Sequence, residues 1–170
     1  MTATTNLISI FLNTWGNYNE NGADNGFWVN LPCNLDEEFE KLAESTGEEV
    51  DEMEVFINDT DININGLEVG EYDDVKELNE LAEELERLND YDLEKVEAIL
   101  EAHGGSLREA LDNIDNCTFY QGMSLEDVAY EIVEEMNLPE IAQRYFDYEA
   151  FARDLGFDGY TETTNGVIYR

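Results

Sequence analysis

The sequence predicts an α+β protein built from three small domains in line. Three observations carry that expectation. Apolar residues alternate near both ends of the chain but recur every three or four positions in the middle. Cap and turn residues bracket most of these segments. Acidic residues are distributed unevenly, with only Glu20 and Asp24 in the first 32 positions. The expected divisions are a small sheet-plus-helix domain over 1–64, a helical domain over 65–104 and an α+β domain over 105–170.

Taken in order, Leu7, Ile8, Ile10, Phe11 and Leu12 predict a strand, followed by a polar loop over Thr14–Asn25. Phe27–Leu31 predicts a second strand, ended by Pro32, which cannot donate to a ladder. Asn34 is placed to cap a helix with Leu35, Phe39 and Leu42 on one face. Met53, Val55 and Ile57 alternate with acids and Phe56, the pattern of a third strand. Val75, Leu78, Leu81, Ala82, Leu85 and Leu88 mark a helix, broken at Asn89-Asp90. Leu93, Val96, Ile99 and Leu100 mark a second, stopped by Gly104-Gly105, and Ser106 caps a third carrying Leu107, Ala110, Leu111 and Ile114. Cys117–Gln121 reads as a strand, and Ser124 caps a helix whose first turn holds Glu126 and Asp127, where carboxylates suit the dipole. A helical stretch runs from Pro139 through Tyr145 toward Asp154, and Asn165-Gly166 centres a C-terminal hairpin.

The chain has 170 residues, with 42 Asp plus Glu against 8 Lys plus Arg, a formal charge of −34. Hydrophobic residues make up 42% and aromatics 11%, too many for a disordered acidic tail. The charge argues against direct binding of nucleic acid or an anionic membrane. No apolar run approaches the roughly 20 residues of a membrane span. Asn6–Leu12 lacks the preceding basic residues of a signal peptide, so a cytoplasmic location is expected. Cys33 and Cys117 are isolated and are expected to be reduced.

Little in the sequence points to catalysis. The one histidine, His103, precedes Gly104-Gly105-Ser106 at a helix end, where an imidazole interacts favourably with the dipole. No phosphate-binding glycine loop or zinc motif is present, and no cofactor, metal or catalytic residue is expected. Asp61, Asn63, Asn65 and Gly66 match the start of an EF-hand loop, but Tyr72 stands where the bidentate Glu belongs. An acidic calcium-binding or protein-interaction module unrelated to DNA enzymes is the alternative reading.

The acids themselves are the stronger signal. Asp73, Glu77, Glu80 and Glu84 form one helical stripe, widened by Asp74, Glu83 and Glu86, away from the apolar face. Asp127, Glu131, Glu134 and Glu135 repeat the design. Like charges at i,i+4 cost about 0.2–0.5 kcal/mol per pair, and lysines would keep solubility without that cost. A large single-sign surface therefore implies a basic partner, and strongly basic clefts commonly belong to nucleic-acid-binding proteins. Duplex DNA carries one charge per about 1.7 Å, so the acids of two such chains correspond to about 140 Å of duplex. A compact chain of this length has a radius of gyration of about 15–16 Å, so DNA-like spacing requires an elongated arrangement of small modules. The expected contact residues are Glu37, Glu38, Glu44, Glu48, Glu49, Asp73, Asp74, Glu77, Glu80, Glu83, Glu84, Glu131, Glu134 and Glu135.

Several blocks carry a family pattern: YNENGADNGFWVNLP (Tyr18–Pro32), VKELNELAEELERL (Val75–Leu88), ILEAHGGSLREALDNID (Ile99–Asp115), YFDYEAFARDLGFDG (Tyr145–Gly159) and TTNGVIY (Thr163–Tyr169). Together they make the chain resemble the ArdA antirestriction proteins of mobile genetic elements. The resemblance implies an elongated, three-domain acidic homodimer, joined through its C-terminal domain, that imitates bent B-DNA. It implies binding to the methyltransferase core of type I restriction–modification enzymes, in the cytoplasm of the host cell. Restriction and modification are then inhibited without catalysis or cofactor.

Overall fold

The computed structural model describes residues 6–170. The chain is α+β and divides into two compact units. The first comprises the described residues up to Ile64 together with Glu68–Arg87, and the second comprises Asn65–Leu67 with Leu88–Arg170.

The first unit is built on an antiparallel sheet in the order β2-β1-β3, formed by β1 (Ile8–Thr14), β2 (Phe27–Leu31) and β3 (Val55–Ile62). Ile8, Ile10 and Leu12 on the central strand are fully buried. Each such side chain contributes about 1.5–3 kcal/mol, which makes this strand the anchor of the unit. Helix α2 (Leu35–Thr46) buries Leu42 and Ala43, and α3 (Val75–Glu86) buries Val75, Leu78, Leu81, Ala82 and Leu85. Asn34 occupies the N-cap position of α2, but its side chain donates to Glu37 Oε1 at 2.9 Å instead of capping. On the inner face of α3, Asn79 accepts from Cys33 N at 2.9 Å and donates to Cys33 O at 3.1 Å. A single buried amide thereby fastens α3 to the segment leaving β2.

Two sequence expectations change in this unit. The loop expected over Thr14–Asn25 contains a helix, α1 (Trp15–Asn21), with no apolar periodicity to announce it. Thr14 caps it by accepting from Asn17 N at 3.1 Å. The buried Asn17 side chain donates to Asn13 Oδ1 at 2.8 Å and accepts from Asn21 at 3.0 Å. Asparagine is a poor helix former in isolation, and tertiary hydrogen bonds override that preference here. Because α1 covers one end of the sheet, Phe56 is also buried, although its place in the alternation suggested a solvent face. It stacks on Trp15 with ring centroids 3.9 Å apart. The β1–β3 register shifts between Phe11, which pairs with Asp59, and Leu12, which pairs with Ile57, so Asn58 is an extra, bulged residue.

The second unit holds the antiparallel sheet β4-β6-β5, from β4 (Thr118–Gln121), β5 (Tyr160–Thr163) and β6 (Gly166–Tyr169). Helix α4 (Asp90–His103) packs against all three strands and buries Val96, Ala98, Ile99 and Leu100. A short helix, α5 (Leu107–Asp112), follows it. Helices α6 (Leu125–Glu135) and α8 (Tyr148–Phe157) pair, and Val128, Ala129, Ala152 and Leu155 meet Val167 in one core. The helical stretch expected from Pro139 onward is divided into α7 (Glu140–Arg144) and α8. The break is specified by Asp147, which caps α8 by accepting from Ala150 N at 2.9 Å. The C-terminal hairpin is present, but its loop is Thr164-Asn165, and Gly166 already belongs to β6. Gly166 has φ +149°, and a side chain there would collide with the Tyr120 carbonyl oxygen. Its smallness serves strand packing as well as the turn.

Candidate functional site

The fourteen carboxylates expected to form a contact surface lie on both units. In the first, Glu37 and Glu44 are exposed on α2, while Glu38 is half-buried and pairs with Lys41 at 2.7 Å. That contact holds the Lys41 ammonium above its ordinary pKa. Glu49 is exposed, just ahead of a short 3₁₀ turn over Val50–Glu52. Glu48 is half-buried and accepts a hydrogen bond from the Thr14 hydroxyl, so it supports the start of α1.

Helix α3 carries the densest stripe. Glu77, Glu80 and Glu83 are exposed and Glu84 is half-buried. The 3.6-residue repeat places Glu77, Glu80 and Glu84 along one face, opposite the buried leucines. Glu83 approaches Arg87 at 3.4 Å, an exposed pair of little energetic weight. Asp73 accepts from Gly70 N at 2.9 Å, and Asp74 caps α3 by accepting from Lys76 N at 2.8 Å and Glu77 N at 3.0 Å. These two acids are exposed yet locally engaged. In the second unit, Glu131, Glu134 and Glu135 are all exposed on α6.

The structure also shows acids with an internal task that the sequence reading did not separate from the rest. On α4, Glu94 accepts from Gln121 Nε2 at 2.6 Å and Glu101 from Thr164 N at 2.8 Å. Between them, Glu97 accepts from Asn65 N at 3.0 Å and Asn165 Nδ2 at 2.5 Å. One row of carboxylates thus holds three surrounding turns and strand ends. Glu162 accepts from Leu125 N at 2.9 Å at the start of α6. Glu109 and Asp127 complete capping boxes with Ser106 and Ser124. Those two had a local signature, a serine followed three positions later by an acid. Glu97 and Glu101 had none, because Asn165 and Thr164 lie more than 60 residues away.

His103 is exposed in the last turn of α4, beside a depression of about 210 Å³ lined by Glu109, Asn113, Cys117 and Arg170 among others. The Ser106 hydroxyl is engaged as a cap, accepting from Glu109 N at 3.2 Å. In the segment resembling an EF-hand, β3 continues through Ile62, Asp61 pairs in register with Ser9, and Ile64 is buried. Among the described residues, no group of three or more His, Cys, Asp and Glu side chains is arranged to hold a metal ion. Both cysteines are free. No helix among the described residues is long and apolar enough to cross a membrane.

An α+β chain whose helices carry exposed acidic faces is the class of molecule defined so far. The family model described as antirestriction protein (ArdA) matches residues 10–169, nearly the whole chain. The chain belongs to this antirestriction family, and its function is therefore to act against restriction enzymes. A search of curated proteins finds no match.

Proposed function

We propose that this protein is a DNA mimic that occupies the DNA-binding cleft of a type I restriction–modification enzyme. Its carboxylates stand in for phosphates against Arg and Lys on the methyltransferase core, and duplex DNA is excluded by competition. No bond is made or broken and no cofactor is used. The acting species is an elongated homodimer in the host cytoplasm, and methylation is inhibited along with cleavage.

The observation that carries this reading is the face of α3. Glu77 and Glu80 are exposed there, beside a helix whose other side is fully committed to the core. Placing like charges so close has a cost in helix stability that a basic partner offsets on binding.

The test is competition between this protein and a labelled duplex for a purified type I methyltransferase. Displacement of the duplex, weakening as salt rises, is the expected result. The contacts are many, so Glu80→Gln is expected to weaken competition by less than about fivefold, the range of one exposed ion pair. Failure of the unmodified protein to displace duplex at low salt would exclude the mechanism.

A further inference from the structure

The outer face of the first unit's sheet forms an unused grid. Across the strands, Asn30, Ser9 and Asp61 stand in one register row, and Trp28, Phe11 and Asp59 in the next. Ser9 is the smallest member, so the middle of its row is low and its neighbours stand up around it. The resulting depression has a volume of about 450 Å³ and is lined by Asn6, Ser9, Trp28, Asn30, Asp61 and Asn63. Trp28 is 49% exposed, yet its position is defined: its ring meets Phe11 edge-on at 5.5 Å. Phe11 in turn lies over Gly26, where a side chain would collide with its ring.

The polar groups of this depression are arranged to accept. Asp61 pairs with Ser9 through its backbone, but its carboxylate makes no hydrogen bond or ion pair among the described residues. Asn63 donates through Nδ2 to Asn6 O at 2.9 Å, which leaves its Oδ1 available. Asn30 Oδ1 receives the Ser9 hydroxyl at 2.7 Å and has a second lone pair. Lys41 is the one basic residue before Lys76 in the sequence, and no strand of this sheet carries a cation. An aromatic face beside a carboxylate and two amide oxygens, in a field of −34, selects a cation that is planar and rich in donors. A guanidinium has that shape, stacks on indole and donates five hydrogens, whereas an ammonium is a compact, strongly hydrated point charge. The outer strands lie about 10 Å apart, two strand spacings, a span that a guanidinium lying over Ser9 fills.

We propose that this depression is an arginine-binding subsite, with Trp28 stacking on a guanidinium from a basic partner protein and Asp61 accepting its hydrogen bonds. The proposal refines the mimicry reading, on which the choice of partner rests. It adds a contact that discriminates arginine from lysine, which evenly spread carboxylates do not.

The test uses the full-length protein and a pair of short peptides that differ only in one Arg or Lys, added at about 0.3 M salt, where the Debye length is roughly 5–6 Å and diffuse attraction is screened. The two indole N–H signals, from Trp28 and Trp15, are followed by NMR. The Trp28 signal is expected to shift saturably with the Arg peptide, at least threefold more tightly than with the Lys peptide. The Trp15 signal should stay in place. Trp28→Ala assigns the signal, and the isosteric Asp61→Asn is expected to weaken Arg-peptide binding at least threefold while leaving the remaining spectrum unchanged. Equal response to both peptides, parallel movement of both indoles, or an unmoved Trp28 signal would overturn the subsite. A protein that displaces duplex but shows no Trp28 response loses only this inference. One that binds the Arg peptide but never displaces duplex loses only the mimicry.

Discussion

Glu97 shows how two carboxylates of identical chemistry diverge by position. It accepts from Asn65 N and Asn165 Nδ2, which belong to turns distant from α4 in sequence. Hydrogen bonds to a charged group contribute about 1.5–3 kcal/mol, and removing the acceptor leaves both donors unpaired. Glu97→Ala is therefore expected to destabilise the protein by about that amount in urea unfolding, even though it reduces a very large negative charge. Glu80→Ala, on the exposed side of α3, is expected to stay within about 0.5 kcal/mol of the parent. The contrast separates acids that hold the fold from acids available to a partner. Sequence alone grouped all such residues by charge and helical phase, and it included Glu48, whose carboxylate is engaged with Thr14. The distinction depends on which loops arrive near each carboxylate, and that is a tertiary fact.

At the level of elements, caps are where sequence and structure correspond most closely. Ser124 and Asp127 form a reciprocal cap on α6, with Ser124 N donating to Asp127 Oδ2 at 2.9 Å and Ser124 Oγ at 2.8 Å. These bonds from the Ser124 backbone and then its hydroxyl hold the Asp127 carboxyl below its ordinary value of 3.8. The folded state therefore gains stability from this group above that ordinary value, and loses it as pH falls through the lowered folded value. A carboxyl-detected NMR titration is expected to place Asp127 below a free aspartate, and Ser124→Ala should move it only part of the way back up, because the backbone N–H that contributes most remains. The Ser106 cap of α5 was legible for the same reason, since it is local and chemically specific, whereas Asn89, read only as a helix break, also caps α4 by accepting from Asp92 N at 2.9 Å. Helix α1 was not legible: its stability comes from Thr14 and from asparagines that bond across the chain, with no apolar stripe to reveal it. The separation of α7 from α8 hinges on Asp147, a single residue within a segment that otherwise reads as helical.

Over the whole molecule, the net charge sets two responses to salt that run in opposite directions. With −34 formal charges, the folded chain holds carboxylates closer together than the unfolded chain does, so self-repulsion opposes folding. The local ion pairs do little to offset this: Arg144–Glu140 at 3.6 Å and Arg153–Asp154 at 3.8 Å are exposed pairs along the chain. Raising salt from low millimolar to 0.1 M shortens the Debye length to about 10 Å, and 1 M brings it to about 3 Å. The melting temperature of the free protein is therefore expected to rise by several degrees across that range, as followed by circular dichroism. The same screening weakens attraction to a basic cleft, so displacement of duplex from the methyltransferase should decline over the same series. A protein acidic only for solubility would show the first response without the second. A fold held mainly by its surface ion pairs would lose stability with salt. The observation of both trends together, stability rising as inhibition falls, ties the charge that strains the free protein to the charge that binds its partner.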